Sequence, residues 1–266
     1  MSASRGVIMG MRRALVSAHL PAREIKSLKG KSSGSARWVR RQWADPIVKQ
    51  AKREGLRSRA AVKLRELNTK FQLIRKGDVV LDLGAAPGGW TQIAVEAVGS
   101  GAKKPPSPSS DQAPPDRVNV IALDLRPFDS LVGAAIVVGD FRHASVRAEI
   151  DALLGGRKAS VVLSDMAPDF SGNFLTDSQA QLRLCHNALK MAELYLKPGG
   201  NFATKILRGD GSEDFRDELK ASFEFVKAMK PLSSRSESSE MFLVAKGYRG
   251  KAATPAAAVA AVDGDK

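Results

Sequence analysis

The chain contains one cysteine, Cys185, among 266 residues. A lone thiol excludes a disulfide framework and a CxxC metal site, and it suits a reducing compartment. Three scattered histidines and no HExxH pair argue against a zinc centre. No apolar run approaches the roughly eighteen residues that a membrane span requires, so an integral membrane protein is not expected. Acidic residues are scarce in one place. Residues 1 to 65 carry 17 Lys and Arg against Glu24, Asp45 and Glu54, which leaves 25 residues of each sign downstream, so the whole net charge of +14 sits in the N-terminal quarter.

What is present points to a globular protein with a polyanionic partner. Hydrophobic residues make up 43% and charged residues 26%, a soluble composition long enough for one α/β domain with appendages. The basic quarter is the footprint expected for phosphates, or more simply a solvated extension. Residues 1–35 lack apolar periodicity and read as a flexible basic arm, with an organellar transit peptide as the alternative. In 36–75, apolar positions recur at helical spacing around Gly55, giving two short helices with Arg40, Arg41, Lys49, Lys52, Arg53, Arg57 and Arg59 as candidate RNA contacts. Trp38, Trp43 and Phe170 are candidates for stacking on bases.

From residue 77 short apolar runs alternate with helical segments. Strands are expected at 79–83, 118–123, 134–138, 160–165, 201–206, 223–229 and 240–247, and the longest helix at 177–197, stopped by Pro198-Gly199-Gly200. That alternation implies a doubly wound, mostly parallel, seven-stranded Rossmann-like sheet with helices on both faces. The ten residues PLSSRSESSE are too short for a parallel crossover, so the last strand should be antiparallel. Residues 99–116 read as a Pro/Ser surface insertion and 251–266 as a disordered Ala-rich tail, leaving a domain at 36–250.

LDLGAAPGGW, residues 81–90, places small residues where the first strand meets the first helix of the sheet. Such turns bring backbone amides to a ligand. The spacing matches neither GxGxxG nor a P-loop, which disfavours a dinucleotide or ATP and leaves S-adenosyl-L-methionine as the remaining common occupant. Gly84, Ala85, Pro87, Gly88, Gly89 and Trp90 are the candidate loop contacts, with packing the more ordinary role for Trp90. Asp82, Asp124, Asp140 and Asp165 fall at successive strand ends, the edge where open α/β sheets bind ligands. Asp124 with Leu125 suits ribose hydroxyls, and Asp140 with Phe141 suits adenine.

RWVRRQWADPIVKQAKREGLRSRAAVKL, LDLGAAPGGW, DLRPFD, GDFR, SDMAPDFSG, TKIL and SSEMFLVAKGY follow one another across residues 36–248. In this order they resemble the FtsJ/RrmJ (RlmE) ribosomal RNA 2'-O-methyltransferases. The resemblance implies S-adenosyl-L-methionine as donor and a uridine ribose in the A-loop of large-subunit (23S) rRNA as acceptor, on the large ribosomal subunit. It carries a Lys-Asp-Lys-Glu tetrad onto Lys63, Asp165, Lys205 and Glu240, with Glu237 close enough to compete for the last place. A monomer is the default expectation, and the bacterial cytoplasm the expected setting, with a mitochondrial one as the alternative. No metal is called for, because a sulfonium methyl is already activated.

Lys205 is expected to act as base or, still charged, to stabilise the developing alkoxide. Cytosine C5 methylation needs a cysteine at a strand end, and Cys185 lies mid-helix. Exocyclic-amine methylation favours a Pro-Pro-aromatic turn, and Met166-Ala167-Pro168 stands there instead. A tRNA or cap 2'-O-methyltransferase, or a ribosome-assembly factor that only binds RNA, are the competing readings.

Overall fold

The computed structural model describes residues 45–99, 118–235 and 237–250. The basic arm, Arg40 and Arg41, Trp38 and Trp43, nearly all of the Pro/Ser stretch and the Ala-rich tail lie outside them.

Two helices lead: α1 (Pro46–Arg53) and α2 (Arg59–Phe71). Asp45 caps α1, its carboxylate accepting from the amides of Ile47 at 2.9 Å and Val48 at 3.4 Å, with Pro46 in the first turn. Then follow β1 (Val80–Leu83), α3 (Gly89–Val98), β2 (Val120–Asp124), β3 (Ala134–Val138), α4 (Ala144–Leu154), β4 (Ala159–Ser164), α5 (Phe174–Tyr195), β5 (Leu196–Leu207), α6 (Ser212–Ser222), β6 (Phe223–Met229) and β7 (Glu240–Tyr248). They build one seven-stranded sheet in the order β3-β2-β1-β4-β5-β7-β6.

β1, β2 and β4 are buried along their whole length, which is why their sequences are nearly continuous in Val, Leu, Ile and Ala. Alternation still sorts them. Leu81, Leu83, Ile121, Leu123 and Val162 face a core shared with α4, α5 and α6, while Val80, Val120, Val161 and Leu163 face a core shared with α1, α2 and α3. β7 runs antiparallel to both β5 and β6, as the short 230–239 connection requires.

The widest departures from the expected boundaries fall at α5 and β5. α5 starts at Phe174, capped by the Asn173 side chain on the Thr176 amide, and ends at Tyr195. Leu196 and Lys197 belong instead to β5, because Leu196 pairs with Ala159 ahead of a register shift into the regular Val161–Asn201 ladder. Sheet pairing, not the downstream Pro-Gly-Gly, ends the helix.

Candidate active site

Strand order decides which side chains meet. Along the carboxyl ends of the parallel strands lie, in turn, Asp140 after β3, Asp124 ending β2, the glycine loop after β1, Asp165 after β4 and Lys205 near the end of β5. β7, running antiparallel, starts where its neighbour β5 finishes, since Glu240 pairs with Leu207 and Phe242 with Lys205. Glu240 therefore joins the same rim. The direction of winding reverses between β1 and β4, and such switch points open a crevice for ligand.

The glycine loop is packed closely on its protein side. Its amides are bonded inside the protein: Gly84 and Ala85 donate to the Leu123 carbonyl at 2.9 and 3.0 Å, Gly88 to Ala85 at 2.6 Å, and Ala86 to Asp124 Oδ2 at 2.9 Å. A Cβ on Gly84, whose φ is +74°, would sit 2.5 Å from Met166 Cγ and 3.0 Å from Met166 Cα. A Cβ on Gly89 would sit 2.1 Å from Ser58 Oγ. Side chains are absent chiefly because the β4–α5 loop and the start of α2 press against the turn. Asp124 braces it while also accepting from the Arg126 amide. Trp90 is buried, donates its indole N–H to the Ala60 carbonyl at 2.9 Å and tilts against Phe242. Packing is its visible role. Leu125 is exposed on the rim, Phe141 packs half-buried against the core, and Asp140 is gripped by the Arg142 guanidinium, which holds its carboxyl below the usual range.

Beneath the loop lies Asp82, fully buried on the α3 side of the sheet. Its Oδ2 accepts from Thr91 Oγ at 2.7 Å, and its Oδ1 has no hydrogen-bond partner among the described residues. Burial pushes its carboxyl up to about 7; the Thr91 bond opposes this, and the charges of Asp165 and Asp124 add to it. A folded-state pKa above the ordinary 3.8 means that the native state holds this proton more tightly than the unfolded chain. Its contribution to stability is complete in acid and is lost as pH rises from about 4 to 7. The full difference is about 4 kcal/mol, and an asparagine amide left unpartnered at the same place costs about 1–3 kcal/mol. Asp82→Asn is therefore expected to stabilise the cofactor-free protein by about 1–3 kcal/mol at pH 7.5 and not at pH 5. Urea unfolding at the two pH values checks this, and an equal effect at both would contradict it.

The tetrad forms two ion pairs. Lys205 Nζ lies 3.2 Å from Asp165 Oδ1, yet its hydrogen bond goes to the Asp165 carbonyl at 2.8 Å, so Oδ1 keeps a charge contact without a directed bond. Lys63 is buried and bonded to Glu240 Oε1, with its ammonium 5.7 Å from the centre of the Phe242 ring. Burial alone would raise the Glu240 carboxyl; the adjacent Lys63, with Lys205 and Ser234, outweighs it and holds the group below the usual range. The structure thus brings Glu240 to Lys63, whereas residue statistics alone would make Lys63 a phosphate contact or a solvated charge.

Two supports were invisible in the sequence. The β4–β5 ladder ends at Ser164 and Thr204, one residue short of the charged pair. Beyond it Gln181 of α5, 1% exposed, donates one amide nitrogen to the Lys205 carbonyl at 2.9 Å and the Met166 carbonyl at 3.2 Å. Cys185 adds its S–H to the Lys205 carbonyl at 3.1 Å, and burial pushes this thiol up to about 11, which suits a structural donor and not a nucleophile. Gln181→Leu keeps the shape and removes the tie. It is expected to cost about 1–3 kcal/mol of stability and to lower turnover about tenfold or more with cofactor affinity unchanged. Calorimetric cofactor titration beside single-turnover kinetics checks this; undiminished turnover would show that the strand ends hold themselves.

The second support secures the loop before Glu240. Arg59, Lys63 and Glu66 share one face of α2. Glu66 accepts from the amides of Leu232 at 2.6 Å and Ser233 at 3.0 Å, and Arg59 donates to the Ser233 carbonyl at 2.6 Å. Asp45 bonds both Arg59 and Arg235, the latter at 2.9 and 3.1 Å, and Ser234 Oγ donates to Glu240 at 3.2 Å. Arg57 likewise turns inward, donating to the Asp129 carbonyl at 2.6 Å and the Pro87 carbonyl at 3.4 Å. Of the cations expected to contact RNA, Arg57 and Arg59 are half-buried and bonded within the protein, while Lys49, Lys52 and Arg53 are exposed on α1.

The model of the FtsJ-like methyltransferase family matches residues 56–248, which span every element from the loop before α2 to β7. This chain belongs to that family. The ribosomal RNA large subunit methyltransferase E of Acinetobacter baumannii is 42% identical over 218 residues, covering 82% of this chain and 94% of its own. A solved structure assigned as a ribosomal RNA methyltransferase from Plasmodium falciparum superposes with a TM-score of 0.61 at 26% identity, covering 73% of this chain and all of that one. The family uses S-adenosylmethionine, and the rim fits it. Asp82 Oδ1 and Asp165 Oδ1 are buried acceptors without directed partners, and Asp82, Asp124 and Asp165 crowd negative charge that an ammonium and a sulfonium would offset.

Proposed function

We propose that this methyltransferase modifies the 2'-hydroxyl of a uridine in the A-loop of large-subunit (23S) rRNA, acting on the assembled large subunit in the bacterial cytoplasm. The observation that carries the reading is the Lys205–Asp165 pair beside the Lys63–Glu240 pair, on the rim next to the glycine turn. The curated relative's name, a large-subunit rRNA methyltransferase, supports the class of substrate. No helix among the described residues is long and apolar enough to cross a membrane.

S-adenosylmethionine, when bound, supplies a methyl already activated on sulfur. What remains for the protein is alignment and one proton. Methyl transfer forms a carbon–oxygen bond as the carbon–sulfur bond breaks, and the hydroxyl proton leaves to Lys205 or to water. Asp165 and the Gln181 tie fix Lys205 at the strand end. Glu240 fixes Lys63; where Lys205 is a neutral amine it takes the proton and Lys63 alone supplies positive charge, and where Lys205 is charged the proton leaves to water and two ammonium groups stand by the oxygen as negative charge develops on it. Lys49, Lys52 and Arg53 would neutralise backbone phosphates, and binding should weaken steeply with salt.

The deciding assay offers labelled methyl donor with assembled large subunits, naked rRNA and tRNA, followed by mapping of the modified ribose. Label on one uridine ribose of the large-subunit RNA is the expected result. Label confined to tRNA would overturn the substrate, and RNA binding without label would favour an assembly factor.

A further inference from the structure

Nine large hydrophobic side chains are exposed among the described residues, and three of them, Phe170 at 60%, Phe174 at 49% and Leu175 at 59%, fall within six positions of one another. Scattered singly such residues mean little, but gathered at a functional rim they mark a contact surface. These lie on the connection that leaves β4 through Asp165 and enters α5 at Phe174.

The connection is built to hold them out. The buried Asp177 carboxylate accepts from the Ser171 amide at 2.7 Å, the Ser171 hydroxyl at 2.8 Å and the Gly172 amide at 3.1 Å, while Asn173 caps the helix. Its far end rests on the segment that follows Lys205. Phe174 Cε1 and Ser178 Cβ lie 3.5 and 3.2 Å from where a Cβ on Gly209 would be, so Phe174 packs over the turn four residues beyond the candidate catalytic lysine.

Charge decides what such a surface accepts. Asp169 adjoins Phe170, and Gly209 is flanked by Arg208 and Asp210, all three exposed. Two carboxylates against one guanidinium repel a phosphate backbone, whereas an uncharged planar face meets no such cost. Specific RNA recognition commonly splays unpaired bases onto aromatic side chains, and each stacked base is worth about 1–3 kcal/mol.

We infer that Phe170 and Phe174 form a stacking platform for an unpaired nucleobase of the RNA, at or next to the methylated nucleotide, which sets the ribose over Lys205. Phosphates then run along the exposed Lys49, Lys52 and Arg53 of α1. This inference rests on the RNA methylation reading above and names how that substrate is gripped.

Its test uses the full-length chain with a short single-stranded uridine-containing RNA and a set of the same oligonucleotides, each with one abasic position, followed by fluorescence anisotropy. The wild type should bind the intact RNA about tenfold more tightly than one member of the abasic set. Phe170→Ala or Phe174→Ala should lose that tenfold for the intact RNA and nothing for the abasic one, with cofactor affinity unchanged in both and the unfolding midpoint unchanged in Phe170→Ala. Phe170→Tyr should restore it. Equal binding of intact and abasic RNA by the wild type, or equal weakening of both in the variants, overturns the platform. A defect seen only in methylation of assembled subunits would assign the patch to a ribosomal protein instead, which also overturns it. A wild type that neither binds nor labels any RNA would sink the underlying functional reading, a result distinct from these.

Discussion

Lys205→Met removes the ammonium while keeping the aliphatic stem, and methyl transfer by this variant is expected to fall at least about a thousandfold, with cofactor affinity unchanged. Proton transfer by a positioned group contributes about 10²–10⁴, and a preorganised charge at the developing oxyanion about 10²–10³. Lys205 is placed to supply either, being buried at a strand end with its Nζ 2.8 Å from the Asp165 carbonyl and 3.2 Å from Oδ1 of the same residue. The cofactor-side groups, from Asp140 to the glycine turn, belong to other strands and keep their own bonds. Single-turnover kinetics with saturating donor, beside calorimetric donor binding, separates the two effects. Turnover within tenfold of wild type would remove Lys205 from the chemistry. A parallel loss of donor affinity would mean that it serves binding.

Breaking the other pair should act on stability as well as on rate. Lys63→Met leaves the Glu240 carboxylate largely buried without its partner, and uncompensated charges of this kind cost about 3–5 kcal/mol. The cost must depend on pH in a definite direction. Glu240 has a depressed carboxyl in the fold, so its contribution is present above the ordinary glutamate value of 4.5 and is lost as pH falls through the lower folded value. Lys63→Met should therefore be most damaging at neutral pH and least so toward pH 4. Adding Glu240→Gln should recover much of the loss, because the double variant buries no lone charge. Urea unfolding of the four proteins of this cycle checks both points. A double variant no more stable than Lys63→Met would mean that the pair acts through packing on Phe242 and not through charge.

The sheet could be read from the sequence because each strand is a short apolar run bounded by glycine, proline or acid, and because a ten-residue connection permits only a hairpin. The rim could be read for the same reason: polar residues at strand ends converge whatever the intervening helices contain. The glycine turn was legible only in part, since smallness can serve a ligand or a protein neighbour and a sequence does not show Met166 and Ser58 against it. Asp82 looked like one acid in a row of four, but alternation along β1 turns it under α3 onto Thr91. Gln181 could not be found at all. A glutamine in an amphipathic helix carries no mark of which carbonyls it will reach, and those carbonyls become needy only where two strands part. Arg57 and Arg59 read as phosphate ligands because charge is visible in a sequence while the direction of a side chain is not.

The ion pair between Lys63 and Glu240 joins positions 177 residues apart. One partner lies in the second of the described helices, and the other opens the last of the described strands. A nascent protein that has already laid down its first five strands still carries an orphaned lysine at the mouth of its cleft. The Lys63–Glu240 contact therefore forms only when the terminal hairpin docks, and a product cut short before that hairpin would keep most of the architecture and the Lys205–Asp165 pair while leaving Lys63 without its carboxylate.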